Sequence, residues 1–334
     1  MLVRTACLGL AAFGMRLPVF AQEPRFVRIG TGAIGGTYFP VGGLIANAIS
    51  NPPGSMECEY GGSCGVRGLI ATAVSTQGSV ENASLVAEGK LDLALCQADV
   101  AYHAFTGSGT FAGQLAKTNL RVIANLFPEV LHAVVARESG ITTIKQLRGK
   151  RMNLGDPDSG TLVAVKHVLG AYSLRIDQIK ASYDALGRAS DLLVDKQIDG
   201  FFMMGGYPMN AIADAATKIP LRLLPIDGPA VETLLKTQTY FTVGSIPSGV
   251  YQNVDGVDTI AIGAQIIVRA DLDEAFVQDV TRALWDPKNR NILDSGHPNG
   301  RQIRIETALK GLTIPLHPGA ERYYVTAGLV GSGP

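Results

Sequence analysis

The sequence predicts an α/β protein built of two similar lobes that face each other across a ligand cleft. Three observations carry this. A glycine-rich turn between a strand-like run and a small-residue helix occurs twice, as Gly30, Gly32, Gly35, Gly36, Thr37 and again as Gly155 to Thr161. The run VDKQIDGFFMM at 194–204 mirrors AEGKLDLALCQ at 87–97: helix end, Lys or Gln, Leu or Ile, Asp, then an apolar strand. Two long β-rich runs, 121–137 and 259–270, are long enough to cross from one lobe to the other, and no low-complexity linker separates the halves.

Length and composition agree. A chain of 334 residues favours two domains. A 46% hydrophobic content with 39 glycines suits buried strands joined by tight turns. The charges of 29 basic and 29 acidic residues cancel, with no basic run, which excludes a nucleic-acid surface. At the start, Arg4, an apolar stretch and Ala21 resemble a secretory signal cut after Ala21, so residues 1–21 are expected to leave and the protein to be exported to the periplasm. Cys58 and Cys64 bracket a glycine-rich loop and can close a small disulfide ring in an oxidising compartment, whereas Cys96 sits in an apolar run as a buried free thiol.

In chain order, the first loop leads from a strand at 26–30 to a helix at 41–49. Glycines there let main-chain amides face inward, and a helix N-terminus is a seat for an anion. Gly36, Thr37 and Tyr38 are the candidates at this seat. A strand at 69–75 follows, then Thr76, Ser79 and Asn82 at the start of a helix. The strand 91–97 ends in Gln97, beyond which stands Asp99. Ligands in open α/β sheets lie past the carboxyl ends of strands, so Gln97 aims at the same crevice. In the second half, a strand at 151–154 runs through Ser159, Gly160 and Thr161 into a helix at 162–172, and Gly205 and Gly206 follow the strand that ends at Met204. Asp92 and Asp199 are expected to join helix ends to strand starts.

Enzyme chemistry finds little footing. Gly30, Gly32 and Gly35 match G-x-G-x-x-G, but that motif needs an acid ending the next strand about twenty residues on, and only Glu57 and Glu59, flanking Cys58, fall near. An exported dinucleotide-binding enzyme is thus the alternative. Gly61 to Gly65 fits G-x-S-x-G, without the strand-turn-helix context a nucleophile elbow requires. The five histidines show no metal-ligand spacing. No catalytic residue, cofactor or metal is expected; what remains is binding.

Six stretches in order give a resemblance: IGTGAIGGTYFPVGGLIA (29–46), GSCGVRGLIATAVSTQGSVEN (62–82), KLDLALCQADVAY (90–102), LRGKRMNLGDPDSGT (147–161), DKQIDGFFMMGGYP (195–208) and IPLHPGAERYY (314–324). The sequence resembles the solute receptors of tripartite ATP-independent periplasmic (TRAP) transporters, of the TAXI branch. The resemblance implies a type II periplasmic-binding-protein fold, monomeric, with lobe 1 at 22–128 and 264–334 and lobe 2 at 129–263. It also implies delivery of an amino acid or small carboxylate, glutamate-like, to an ion-gradient-driven permease, with service to a sensor as the variant reading. The implied cleft takes Gly36, Thr37, Tyr38, Thr76, Ser79, Asn82, Gln97, Asp99, Ser159, Gly160, Thr161, Gly205 and Gly206, with no cofactor. A carboxylate would bridge helix N-termini of opposite lobes while Asp99 accepts a ligand amine. Asp156, Asp158, Met203 and Met204 are side chains of this sequence that bear on ligand charge and size.

Overall fold

The computed structural model describes residues 23–331, so the expected leader at 1–21 lies outside it. In order, the elements are β1 (Arg25–Gly30), α1 (Tyr38–Ile49), β2 (Ser50–Asn51), β3 (Val66–Arg67), β4 (Leu69–Val74), α2 (Ser79–Ala87), β5 (Leu93–Gln97), α3 (Ala98–Thr106) and β6 (Leu120–Ala136). Then come β7 (Arg151–Asn153), α4 (Gly160–Ala171), β8 (Lys180–Ser182), α5 (Leu186–Val194), β9 (Gly200–Gly205), α6 (Asn210–Lys218), β10 (Leu221–Leu223) and α7 (Gly228–Thr237). The chain closes with β11 (Thr242–Ile246), β12 (Val257–Arg269), α8 (Glu274–Trp285), α9 (Arg290–Gly296) and α10 (Pro318–Thr326).

The main sheet runs β4-β1-β5-β12-β6-β9-β7-β8. Its two ends repeat one another. The first, second and third strands of lobe 1 are β1, β4 and β5, and those of lobe 2 are β7, β8 and β9; in each lobe the first strand pairs in parallel with the other two. Each third strand then meets a crossing strand antiparallel, β5 on β12 and β9 on β6. The mirrored Asp residues do the same job in both lobes: Asp92 Oδ2 accepts from Arg28 N–H at 2.7 Å and Asp199 Oδ2 from Arg151 N–H at 2.9 Å. Each carboxylate ties a main-chain amide of its lobe's first strand, Arg28 within β1 and Arg151 at the start of β7, to the turn before the third.

The inner strands β5 and β9 are buried on both faces, as strands covered by helices must be; β5, LALCQ, has no exposed residue. In lobe 1, Val27, Ile45, Leu95, Ile266, Trp285 and Tyr324 form the core under α1, α8 and α10, and Val86, Cys96, Val100 and Phe111 fill the opposite face. The C-terminal helices α8 and α10 thus pack on the same core as α1. In lobe 2, Leu154, Val165, Phe202 and Ile262 fill one face, and Leu193, Phe201, Ile212 and Tyr251 the other.

Two strands, β6 and β12, tie the lobes. Residues 120–130 of β6 pair with β12, while residues 130–135 pair with β9 of lobe 2. Where they cross, Pro128 lies opposite Gly263 and Glu129 opposite Ile262, next to a register shift at Ala264 and Gln265. A proline without an N–H facing a glycine without a side chain is a weak place in a ladder. Beside lobe 1, Cys58 and Cys64 are joined in a disulfide, Cα to Cα 4.7 Å, and Cys96 is free and buried. Ser63 of the G-x-S-x-G match donates its hydroxyl to Ser50 O, a loop tie. Among the described residues no helix is long and apolar enough to cross a membrane.

Candidate functional site: a closed interlobe cleft

The loops that follow the strands of both lobes meet at a cavity of about 350 Å³, within the range of small-ligand sites. Lobe 1 contributes Gly32–Tyr38 after β1, Ser75–Ser79 after β4 and Gln97 at the end of β5. Lobe 2 contributes Gly155, Asp156 and Ser159–Thr161 after β7, residues 184–188 after β8 and Phe202–Met204 of β9. Glu129, at the crossing of β6, lines the cavity between them. This is the strand-end position that open α/β sheets use for ligands.

The lobes are closed on one another. Thr37 Oγ1 donates to Gly206 O at 2.6 Å, and the Val80 and Glu81 N–H groups of α2 donate to Asp158 O at 3.1 and 3.2 Å. With its amide turned to match its neighbours, Gln77 donates to Asp156 Oδ1 and Asp158 Oδ2, both at 3.0 Å. Gly78 adopts φ +122°, which only glycine takes without strain, and a Cβ there would stand 3.7 Å from that of Ser159. Gly160 is tighter still: a Cβ would fall 1.3 Å from Gln97 Oε1.

Of the residues expected in the cleft, Gly36, Thr37, Tyr38, Thr76, Ser79, Gln97, Ser159, Gly160 and Thr161 line it. Their roles divide. Gln97 is 2% exposed, and its Nε2 has no hydrogen-bond partner among the described residues. Ser159 caps α4, its Oγ accepting from Leu162 N–H, so the Gly160 and Thr161 N–H groups of the first turn have no partner along the helix. Ser79 Oγ accepts from Gln97 N–H and Thr76 Oγ1 donates to Thr31 O, which fixes the loops in place. Thr161 Oγ1 accepts from Met204 N–H at 3.1 Å and faces Met203 Sδ at 3.4 Å, holding α4 on β9. Thr161→Ala leaves the buried Met204 N–H unsatisfied and is expected to cost about 1–3 kcal/mol of stability, measured by denaturant unfolding.

Four expected residues stand elsewhere. Asn82, fully buried, donates through Nδ2 to Thr31 O and Leu95 O at 2.7 and 2.8 Å, and so binds scaffold rather than solute. Asp99 is fully buried outside the cavity lining; its Oδ1 accepts from Val100 N–H, and burial pushes its carboxyl up to about 7. Gly205 packs on Met209, and Gly206 turns its carbonyl to Thr37 and its Cα to Asn299. Of the helix N-termini expected to face the ligand, that of α2 is closed, because Asp158 O takes its Val80 and Glu81 N–H groups, whereas the first turns of α1 and α4 keep their amides free of such a partner among the described residues. No acid ends β4, which Ser75 and Thr76 follow, so the second half of the dinucleotide fingerprint is missing.

Sequence reasoning passed over Glu129, Asn153, Asp184 and Arg188. Glu129 is 2% exposed and accepts Tyr38 OH on Oε2 at 2.6 Å; burial, with the nearby Asp99, pushes its carboxyl up to about 8. Asp184 accepts from Asn153 Nδ2 at 3.2 Å, and Arg188 is the cation of the lining, exposed at its edge. The available signal for Glu129 was an acid alone in the apolar run LRVIANLFPEVLHAVVA, beside a proline. Among the described residues no three His, Cys, Asp or Glu stand together as a metal site.

Solved structures align with this chain over most of its length. PhnD1 of Prochlorococcus marinus (MIT 9301), in complex with methylphosphonate, aligns at TM-score 0.55 and 13% identity over 92% of this chain and 100% of that one. The alkanesulfonate-binding protein SsuA of Xanthomonas axonopodis pv. citri, bound to MOPS, aligns at 0.49 and 16% over 91% and 84%. A putative sulfonate ABC transporter periplasmic sulfonate-binding protein, SsuA of Methylobacillus flagellatus KT, aligns at 0.44 and 14% over 92% and 89%. At 13% identity the likeness to PhnD1 is one of fold, the two-lobed fold of periplasmic binding proteins, which is the architecture expected from the sequence.

The placement in the TAXI branch of the TRAP receptors is corrected by the family match. Residues 29–328 match the NMT1-like family instead. The TRAP permease and the glutamate-like ligand fall with that placement. With its match running from β1 to beyond α10, the chain belongs to the NMT1-like family.

Proposed function

We propose that the protein is an exported solute receptor that closes its lobes over a small organic oxyanion of the phosphonate or sulfonate class and passes it to a membrane transporter of the ABC class. The observation that carries this reading is the convergence, on a cavity of about 350 Å³, of the unpartnered Gln97 amide with the open N-terminus of α4. Donors without acceptors in a buried pocket are a standing cost that an oxyanion relieves, and the positive end of the helix dipole favours its charge. The methylphosphonate of PhnD1 supports the ligand class.

The crossing of β6 and β12 at Pro128 and Gly263 serves as the hinge, dividing lobe 1 (22–128 and 264–334) from lobe 2 (129–263). Gln97 comes from one lobe and α4 from the other, so a ligand held by both binds the closed state better than the open one. That difference in affinity is what shifts the equilibrium toward closure. Export follows from the leader read at 1–21.

The test is a thermal-shift and calorimetric panel of short alkylphosphonates and alkylsulfonates. Stabilisation that rises with ligand concentration is expected, and none with any of them refutes the ligand class. Within the panel, Gln97→Leu keeps the volume but removes the donor. It is expected to weaken binding about 10- to 100-fold, the worth of one buried hydrogen bond to a charged group. Unchanged affinity removes Gln97 from the site.

A further inference from the structure

Glu129 is the buried acid at the heart of the cleft that an oxyanion receptor does not explain. It lies on β6 where the strands cross, lines the cavity, and offers one oxygen to Tyr38 OH at 2.6 Å. That bond falls on Oε2, and no described residue donates a hydrogen bond to Oε1. The charges around the cavity point the same way: Glu129, Asp156 and Asp184 line it against the single guanidinium of Arg188. Asp184 and Asp156 likewise give one oxygen to a neighbour, to Asn153 and to the Gln77 amide, but both are only half-buried, so Glu129 is the fully buried acid of the lining with an oxygen to spare. A cleft that offers donors at α4 and Gln97 but is rich in carboxyls elsewhere is bipolar, and it suits a solute with two poles.

We propose that Glu129, held by Tyr38, receives a protonated amine of the solute, so that the ligand is a short aminoalkyl phosphonate or sulfonate whose acid end sits at Gln97 and α4. This rests on the oxyanion reading above and refines it. The amine-accepting role expected of Asp99 thereby passes to Glu129, since Asp99 is sealed outside the cavity.

The pairing has a signature in pH. Burial pushes the Glu129 carboxyl up to about 8, so in neutral solution the empty cleft holds it protonated. An arriving ammonium favours the carboxylate and drives that proton off to solvent, while the ligand keeps its own. Affinity for an aminated ligand therefore rises with pH, by about tenfold per unit at full coupling, and levels off near 8. The groups facing Glu129 do not mimic this. Tyr38 on α1 and Cys96 on β5 are pushed up by burial and stay neutral, and His132, three residues along β6, is buried and lowered to about 4. Asp99 on α3, at about 7 and near enough to push Glu129 up, titrates in the same window, so the rise with pH is assigned to Glu129 by its loss in Glu129→Gln. The charges of Asp156, Asp184 and Arg188 in the lining are met by both members of each pair.

The experiment is calorimetric titration of the full mature chain with ethylphosphonate against 2-aminoethylphosphonate and ethanesulfonate against 2-aminoethanesulfonate, from pH 6 to 9. At pH 8 the aminated member of at least one pair is expected to bind about tenfold tighter or more, in line with one added charge-assisted hydrogen bond. The ratio is expected to grow from pH 6 to 8, with release of close to one proton at pH 6.5, read from the dependence of the heat on buffer. Glu129→Gln is expected to bring the ratio near one and abolish the proton release. Equal affinities within both pairs overturn the amine site while leaving the oxyanion reading in place. A ratio that survives in Glu129→Gln overturns the assignment to Glu129. Failure of all four acids to bind overturns the oxyanion reading and this inference with it. Should Glu129→Gln not fold, the ratio and its pH dependence measured in both wild type and Asp99→Asn decide: persistence in Asp99→Asn supports Glu129, and loss there overturns the assignment.

Discussion

Gly160→Val is expected to abolish ligand binding while leaving the protein folded. The backbone at Gly160 is ordinary first-turn helix, so valine fits the local conformation. The space does not fit it: a Cβ falls 1.3 Å from Gln97 Oε1 and 2.4 Å from its Cδ, with Ser79 Oγ at 3.1 Å. Two responses are open to the molecule. Either the Gln97 side chain is driven away and its amide no longer presents to the ligand, or the lobes stay apart. Both remove donors that the oxyanion needs from one lobe or the other. Because closed-state affinity is what binding measures, the expected loss is on the order of 100-fold or more. Calorimetry reads that loss, small-angle scattering reads a larger radius if the lobes part, and an unfolding midpoint close to wild type shows that the lobes themselves are sound. Near-normal affinity in this variant means that Gln97 and α4 do not meet around the ligand.

Asp99→Asn is expected to stabilise the protein, and more so as pH rises. Asp99 is fully buried with one oxygen on Val100 N–H and the other without a partner, and burial lifts its carboxyl from 3.8 to about 7. The folded chain therefore keeps a proton that the unfolded chain releases. Wild type has its full stability from this site below pH 3.8 and loses it progressively as pH rises through 7. At 1.36 kcal/mol per unit, the loss reaches about 4 kcal/mol above pH 7. Asparagine can still accept from Val100 N–H and carries no charge to bury. Chemical denaturation at pH 8.5 and at pH 4 is expected to show a large gain for the variant at the first and little at the second. The same gain at both pH values places the effect in packing rather than ionisation.

What the sequence made legible was whatever repeats or stays local. The mirrored runs at 87–97 and 194–204 announced two lobes, and Asp92 and Asp199 hold equivalent strand entries in the structure. The two β-rich runs became β6 and β12, the strands shared by both lobes. The glycine turns did land on one cavity. What escaped was long-range pairing. Nothing near Glu129 in sequence tells that Tyr38, 91 residues earlier, donates to it. Nor does the pattern of α2 show that Asp158, from the other lobe, takes its first amides. Asn82 and Asp99 look like ligand residues because polar side chains near strand ends often are, but the loops bury them. The assignment to a branch of receptors failed for a related reason: glycine turns and strand-end polar residues are what a two-lobed binding protein needs to fold and close, so they identify the architecture more sharply than the branch.

The most direct measurement is calorimetric titration of wild type and Gly160→Val, side by side, with the phosphonate and sulfonate panel. Saturable binding by wild type and none by the variant is the expected result. No binding by wild type, or equal affinity in both proteins, contradicts a solute held between Gln97 and α4 in a closed cleft.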